Sequence, residues 1–89
     1  MRAIVTVIGK DKVGIIGSVC TLLAEHQINV LDITQTILQG YFTMTMIVDT
    51  SLATAPFADL VTRLENAGKE QGLTIHTQRE EIFDAMHRI

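Results

Sequence analysis

The chain has 89 residues, nearly half of them apolar, with a formal charge of −3. That length holds one domain and excludes a second, and a domain this small buries roughly 60 to 68% of its unfolded surface, which excludes a deep enclosed pocket and favours a cleft at an edge or between subunits. The acidic balance and the scattered Lys and Arg exclude a phosphate-backbone footprint, so nucleic acid is not expected as a direct partner.

Met1 leads at once into a strand pattern, without a positive segment preceding an apolar one, and no apolar run approaches bilayer length. An exported or membrane-spanning protein is therefore not expected. Arg2 to Ile8 is rich in β-branched residues, with Ala3, Val5 and Val7 on one face and Ile4, Thr6 and Ile8 on the other. Both faces are mostly apolar, which predicts a central strand. The turn Gly9-Lys10-Asp11-Lys12 follows, then a helix over Val13 to Gln27. Its apolar stripe is Ile16, Val19, Cys20, Leu23 and Ala24, widened by Ile15 and Leu22, and Asp11 is a candidate N-cap. Such a glycine-bearing strand-to-helix turn leaves backbone N–H groups where a small anion can dock.

Ile28 to Leu38 reads as a strand with one buried face, Leu31, Ile33 and Ile37 alternating with Asp32, Thr34 and Thr36. Gln39-Gly40 is a tight turn into a second strand, Tyr41 to Asp49, completing a β-hairpin. Pro56 stands where a first helical residue belongs, Phe57, Leu60, Val61, Leu64 and Ala67 mark one helical face, and Gly72 supplies the stop. Leu73 to Gln78 is a short last strand. Glu80 to Ile89 carries Ile82, Phe83, Met86 and Ile89 on one stripe of a short helical tail.

The order strand, helix, strand, strand, helix, strand, with two right-handed crossovers, predicts an α+β ferredoxin-like βαββαβ sandwich with a four-stranded antiparallel sheet. Both helices are expected on one face. The other carries Thr6, Thr34, Thr36, Thr43 and Thr45.

Catalytic motifs are absent. Gly9 and Gly14 have the spacing of a phosphate loop, but Ile15 and Ile16 stand where Lys and Ser or Thr are required. Gly14 and Gly17 fall short of a dinucleotide fingerprint. His26, His76 and His87 fall on different elements, so no metal site and no cofactor is expected. Cys20 is the sole cysteine, which rules out an intrachain disulfide and favours a cytoplasmic setting; with no base beside it in the pattern, it reads as a small buried hydrophobe rather than a nucleophile. Asn29, just past the first helix, suits a helix stop, because Asn tolerates left-handed geometry.

Gly9, Asp11, Gly14 and Ile15 in GKDKVGI, the helix after them, then Ile28-Asn29-Val30 and the Gln35 region leading to an alternating strand, resemble the ACT domain over residues 2 to 78. The chain is similar to free-standing single-ACT proteins of bacteria and archaea, and more distantly to the paired ACT domains of the glycine cleavage system transcriptional repressor. The resemblance implies one ACT domain over residues 1–89, with a core at 2–78 and a tail at 80–89. It implies a non-catalytic regulatory module that binds a small ligand, usually an amino acid, between two ACT domains. The loop contacts of that family carry over to Asp11, Val13, Gly14 and Ile15, and its strand asparagine to Asn29. The departure is that no attached enzyme or DNA-binding domain follows, so such a regulator is expected to act through a partner protein or to do something else.

The residues suit such a site. Backbone N–H groups around Gly14 and Ile15 suit a carboxylate, Asn29 offers donor and acceptor, and Asp11 or Asp32 suits an ammonium group. Gly14→Val is expected to abolish binding by blocking close approach, with the fold intact. The second strand, placed at a sheet edge with little Lys and no Pro, predicts a homodimer, with the tail stripe as a second candidate contact. Two other functions remain: a protein assembly module without a ligand, and an acylphosphatase-like hydrolase, which wants a loop arginine where this chain has Lys10 and Lys12. DNA binding by analogy with the repressor is inference from fold alone.

Overall fold

The computed structural model describes residues 1–10 and 13–81. The elements are β1 (Arg2–Lys10), α1 (Ile15–Glu25), β2 (Asn29–Leu38), β3 (Tyr41–Asp49), α2 (Phe57–Glu70) and β4 (Thr74–Arg79). The strands form one antiparallel sheet in the order β2-β3-β1-β4. This is the ferredoxin-like arrangement that the element order predicts, with β1 inside the sheet and β2 at an edge.

Residues opposite one another in an antiparallel pair share a face. Ala3, Val5 and Val7 therefore stand beside Val48, Met46 and Met44, and Val7 beside Ile75, on the face that both helices cover. Ile15, Val19 and Leu23 of α1 and Leu60 and Leu64 of α2 complete a single buried cluster there. The opposite face carries Thr6, Thr34, Thr36, Thr43 and Thr45, as the alternation predicts.

Both helices end in the same hydrogen-bond pattern, which turns the chain sharply back toward the sheet. In α1 the N–H of Ile28 donates to Leu23 O (3.0 Å) and that of Gln27 to Ala24 O (3.0 Å); in α2 the N–H of Leu73 donates to Gly68 O (2.8 Å) and that of Gly72 to Lys69 O (3.1 Å). This Schellman geometry needs a left-handed residue, supplied by Gln27 (φ 58°) and Gly72 (φ 74°). Asn29 is thus not the helix stop; it is the first residue of β2. The turn at Gln39 (φ 50°) and Gly40 (φ 82°) has two left-handed residues, the combination that matches strand twist in a two-residue hairpin.

Four expectations need correction. The helix α1 begins at Ile15 with Gly14, where the pattern offered Asp11, as its N-cap residue. Its buried stripe is Ile15, Val19 and Leu23, whereas Ile16 (38% exposed) and part-exposed Cys20 lie on its flank. Pro56 is the N-cap of α2 rather than its first residue. Most consequentially, β2 has no buried side-chain row: Leu31, Ile33 and Ile37 are 49%, 42% and 59% exposed. Ile33 and Ile37 share the helix-covered face with Met46 and Phe42, but the buried cluster that α1 joins includes neither of them, and this stretch of the edge strand stays exposed. A register irregularity between Val30 and Asp32 also breaks the alternation at Leu31.

The chain leaves β4 into a helical start at Glu80, where the Arg2 guanidinium meets the Glu80 carboxylate at 3.0 Å. The tail stripe of Ile82, Phe83, Met86 and Ile89 lies outside the described residues.

The packing of α2 on β4 is tight at Gly68, where an added Cβ would come within 2.7 Å of Ile75 Cγ1 and 3.0 Å of Leu73 O. Gly68→Ala, which in an open helix would gain stability, is expected to lose about 1–3 kcal/mol through overpacking. Urea denaturation measures it, with a lowered midpoint expected at unchanged slope.

Candidate functional site

Two clefts open along β2, one toward each end of the strand. The first, about 330 Å³, is lined by Gly14, Ile15, Ile16, Gly17, Gln35, Ile37 and Phe42. The second, about 540 Å³, is lined by Ala24, Gln27, Ile28, Asn29, Asp49 and Leu52. Neither is enclosed, as the length of the chain requires.

The first cleft is built by the entry into α1. Gly14 adopts φ 89° and ψ 0°, and its carbonyl accepts the Ser18 N–H at 2.9 Å, the first bond of the helix. The N–H groups of Ile15, Ile16 and Gly17, in the first turn, have no partner within the helix and stand beside the cleft. The Ile15 side chain is buried in the core, so only its backbone is available to a ligand. Val13 is fully exposed and lines neither cleft. Asp11 lies outside the described residues.

Gly14 and Asn29 are far apart in a single chain. Asn29 pairs with Asp49, which also faces Arg2 at the start of β1, whereas the far end of β2 pairs Leu38 with Tyr41, opposite Lys10. From Asn29 to Ile37 the strand runs roughly 25 Å. The left-handed φ at Gly14 also changes the expectation for Gly14→Val: a β-branched residue is strained there whatever space surrounds it, so that variant tests the fold together with the site.

The acidic group beside Asn29 is Asp49, not Asp32. Asp32 is opposite Ile47, and its carboxylate accepts the Ile33 N–H at 2.9 Å. Asp49 accepts the Ser51 hydroxyl and the Ser51 N–H (2.9 Å), and the amino group of Met1 lies 3.6 Å away. These groups hold its carboxyl below the usual carboxylate range, the Ser51 hydroxyl contributing most, so Asp49 stays ionised.

Of the described histidines, His26 closes α1 with Nδ1 2.9 Å from Leu22 O and His76 lies across the sheet on β4; His87 is outside the described residues. Among the described residues no cluster of His, Cys, Asp or Glu could hold a metal ion, and no helix is long and apolar enough to cross a membrane.

Pattern reading did not single out Ile16, Gly17, Ile37 and Phe42 as lining residues of the first cleft, nor Asp49 and Leu52 of the second. Two signals were present: a glycine inside a helical pattern with no turn nearby, and a strand whose apolar residues had too few helical residues above them.

A family model described as an ACT domain matches residues 2–78. A UPF0237 protein of Bifidobacterium longum is 56% identical over 88 residues, covering 99% of this chain and 98% of that protein. An ACT domain protein from Streptococcus pneumoniae superimposes with a TM-score of 0.84 at 41% identity, covering 98% of each chain. A protein assigned as a glycine cleavage system transcriptional repressor shares the fold at a TM-score of 0.74 and 22% identity, over 86% of this chain and 44% of that one.

The depressed Asp49 pKa makes a pH prediction. A carboxyl with a folded pKa below its unfolded value stabilises the fold above the unfolded pKa, and that contribution is lost as pH falls through the folded one. Melting midpoints of Asp49→Asn are expected to fall less steeply than wild type below about pH 4, and to show no such difference in slope between pH 6 and 8.

Proposed function

This chain belongs to the ACT domain family, and on that premise we propose that it is a non-catalytic regulatory module binding a small ligand, an amino acid, at the interface of a homodimer. The observation that carries the reading is the bare β2 edge with a cleft toward each of its ends. An unpaired edge is a template for another strand. Two copies pairing β2 with β2 antiparallel, about a two-fold axis through mid-strand, bring the Gly14 cleft of each subunit against the Asn29 cleft of its neighbour. That symmetry builds two equivalent sites from halves that one chain keeps apart.

In each site Asp11, Val13, Gly14 and Ile15 form the loop side and Asn29 of the partner subunit the strand side. The ligand carboxylate takes the open N–H groups at the start of α1. Asn29 bonds donor and acceptor groups, and ionised Asp49 next to it suits the ammonium. The residues 1–89 act as one ACT domain in the cytoplasm, without membrane or nucleic acid, and the bound state is read by a partner protein.

An assembly module without a ligand is the second reading. It is favoured by the same exposed Leu31, Ile33 and Ile37, apolar surface that a second copy would cover. An acylphosphatase-like hydrolase has less support, because residues 9–14 contain no arginine.

Sedimentation at micromolar concentration is expected to give a species of twice the 9.8 kDa chain mass; a monomer sinks the proposal. In thermal unfolding against a panel of amino acids, ligand at about 100 times its Kd adds roughly 2.7 kcal/mol. At roughly 4–8 °C per kcal/mol, that is a selective rise of more than ten degrees. A dimer with a flat panel favours the assembly module.

A further inference from the structure

Five of the six glycines have a reason inside the chain. Gly14, Gly40 and Gly72 hold positive φ, and at Gly9 and Gly68 a Cβ would strike Leu73 Cδ2 at 2.5 Å and Ile75 Cγ1 at 2.7 Å. Gly17 has neither. It sits in the first turn of α1 with ordinary helical backbone, and an added Cβ would meet nothing within 4 Å. Glycine in a helix is less stable than alanine, so the fold of one chain would be better served by a methyl group there. The exposed surface at Gly17 belongs to the first cleft, where Gln35 and Ile37 of β2 also stand.

We propose that Gly17 keeps the α1 backbone open to the ligand, whose side chain lies directly on it, and that the ligand is an amino acid with a small side chain. The inference rests on the ligand-binding reading above and adds to it the residues that select the side chain. Ile16, Ile37 and Phe42 make the cleft apolar, and Gln35 is the single polar side chain among its lining residues. An amide offers a donor group and an acceptor to a polar side chain. Gln35 bonds the polar end of the side chain; Gly17 sets how bulky it can be.

The test uses the full chain, with the standard amino acids as probes in thermal unfolding and calorimetric titration. Gly17→Ala is expected to melt about 3–6 °C above wild type without additive and to sediment as wild type does. Its affinity for the amino acid that stabilises wild type is expected to fall about tenfold or more. Gln35→Leu is expected to lose the preference for a polar side chain over its apolar isostere, such as serine over alanine. Wild-type affinity in Gly17→Ala overturns the inference and leaves the ligand reading standing. Loss of the dimer in that variant also overturns it, since the room then serves the neighbouring subunit. If no amino acid binds wild type, the ligand reading fails and this inference with it.

Discussion

The single buried cluster that α1 joins is the constraint on which the rest depends. Its row of Ile15, Val19 and Leu23 shares that cluster with Val5 and Val7 of β1 and Met44 and Met46 of β3, and the cluster includes neither Ile33 nor Ile37 of β2. Burial of that row and of its partners on β1 and β3 is a large favourable term, at roughly 25 cal/mol per Å² of apolar area. Met44 and Met46 are fully buried in that cluster, whereas Ile33 and Ile37 on the neighbouring edge strand stay exposed. The bare edge thus lies beside a well-filled core, with a cleft toward each of its two ends.

The fold was largely legible in the sequence because its signals are local. Alternation over Tyr41 to Asp49, the Gln39-Gly40 turn, the apolar row of α2 and its glycine stop each depend on neighbours within a few residues, and each is found where the pattern puts it. What misled was burial that depends on distant elements. Alternation in β2 is real, but whether Ile33 and Ile37 are covered depends on where a helix settles in the third dimension. The same applies to α1, whose apolar residues span more than one row; Ile15 rather than Ile16 faces the sheet because the preceding left-handed Gly14 sets the entry of the helix. The candidate site was legible only in halves. Gly14 and Asn29 can be named from the sequence, but that they occupy opposite ends of one strand follows from register alone.

The glycines illustrate how one residue type answers to different physics. At Gly72 the requirement is a dihedral angle, at Gly68 the approach of Ile75, and at Gly17 neither is present. A substitution table would score all three alike. The surroundings separate them, because stability responds to conformation and crowding within the chain, whereas recognition responds to surface left unfilled.

The break in register between Val30 and Asp32 bears on how far assembly can go. An edge strand with an unbroken ladder can add identical strands without limit, the route to fibres. Here the regular stretch runs only from Asp32 to Leu38 before the hairpin turn, and the irregularity at its other end adds twist to the strand. In a dimer that pairs β2 with β2, the short regular stretch of each strand would be taken up by its counterpart, and this edge would have no free length left for a third copy.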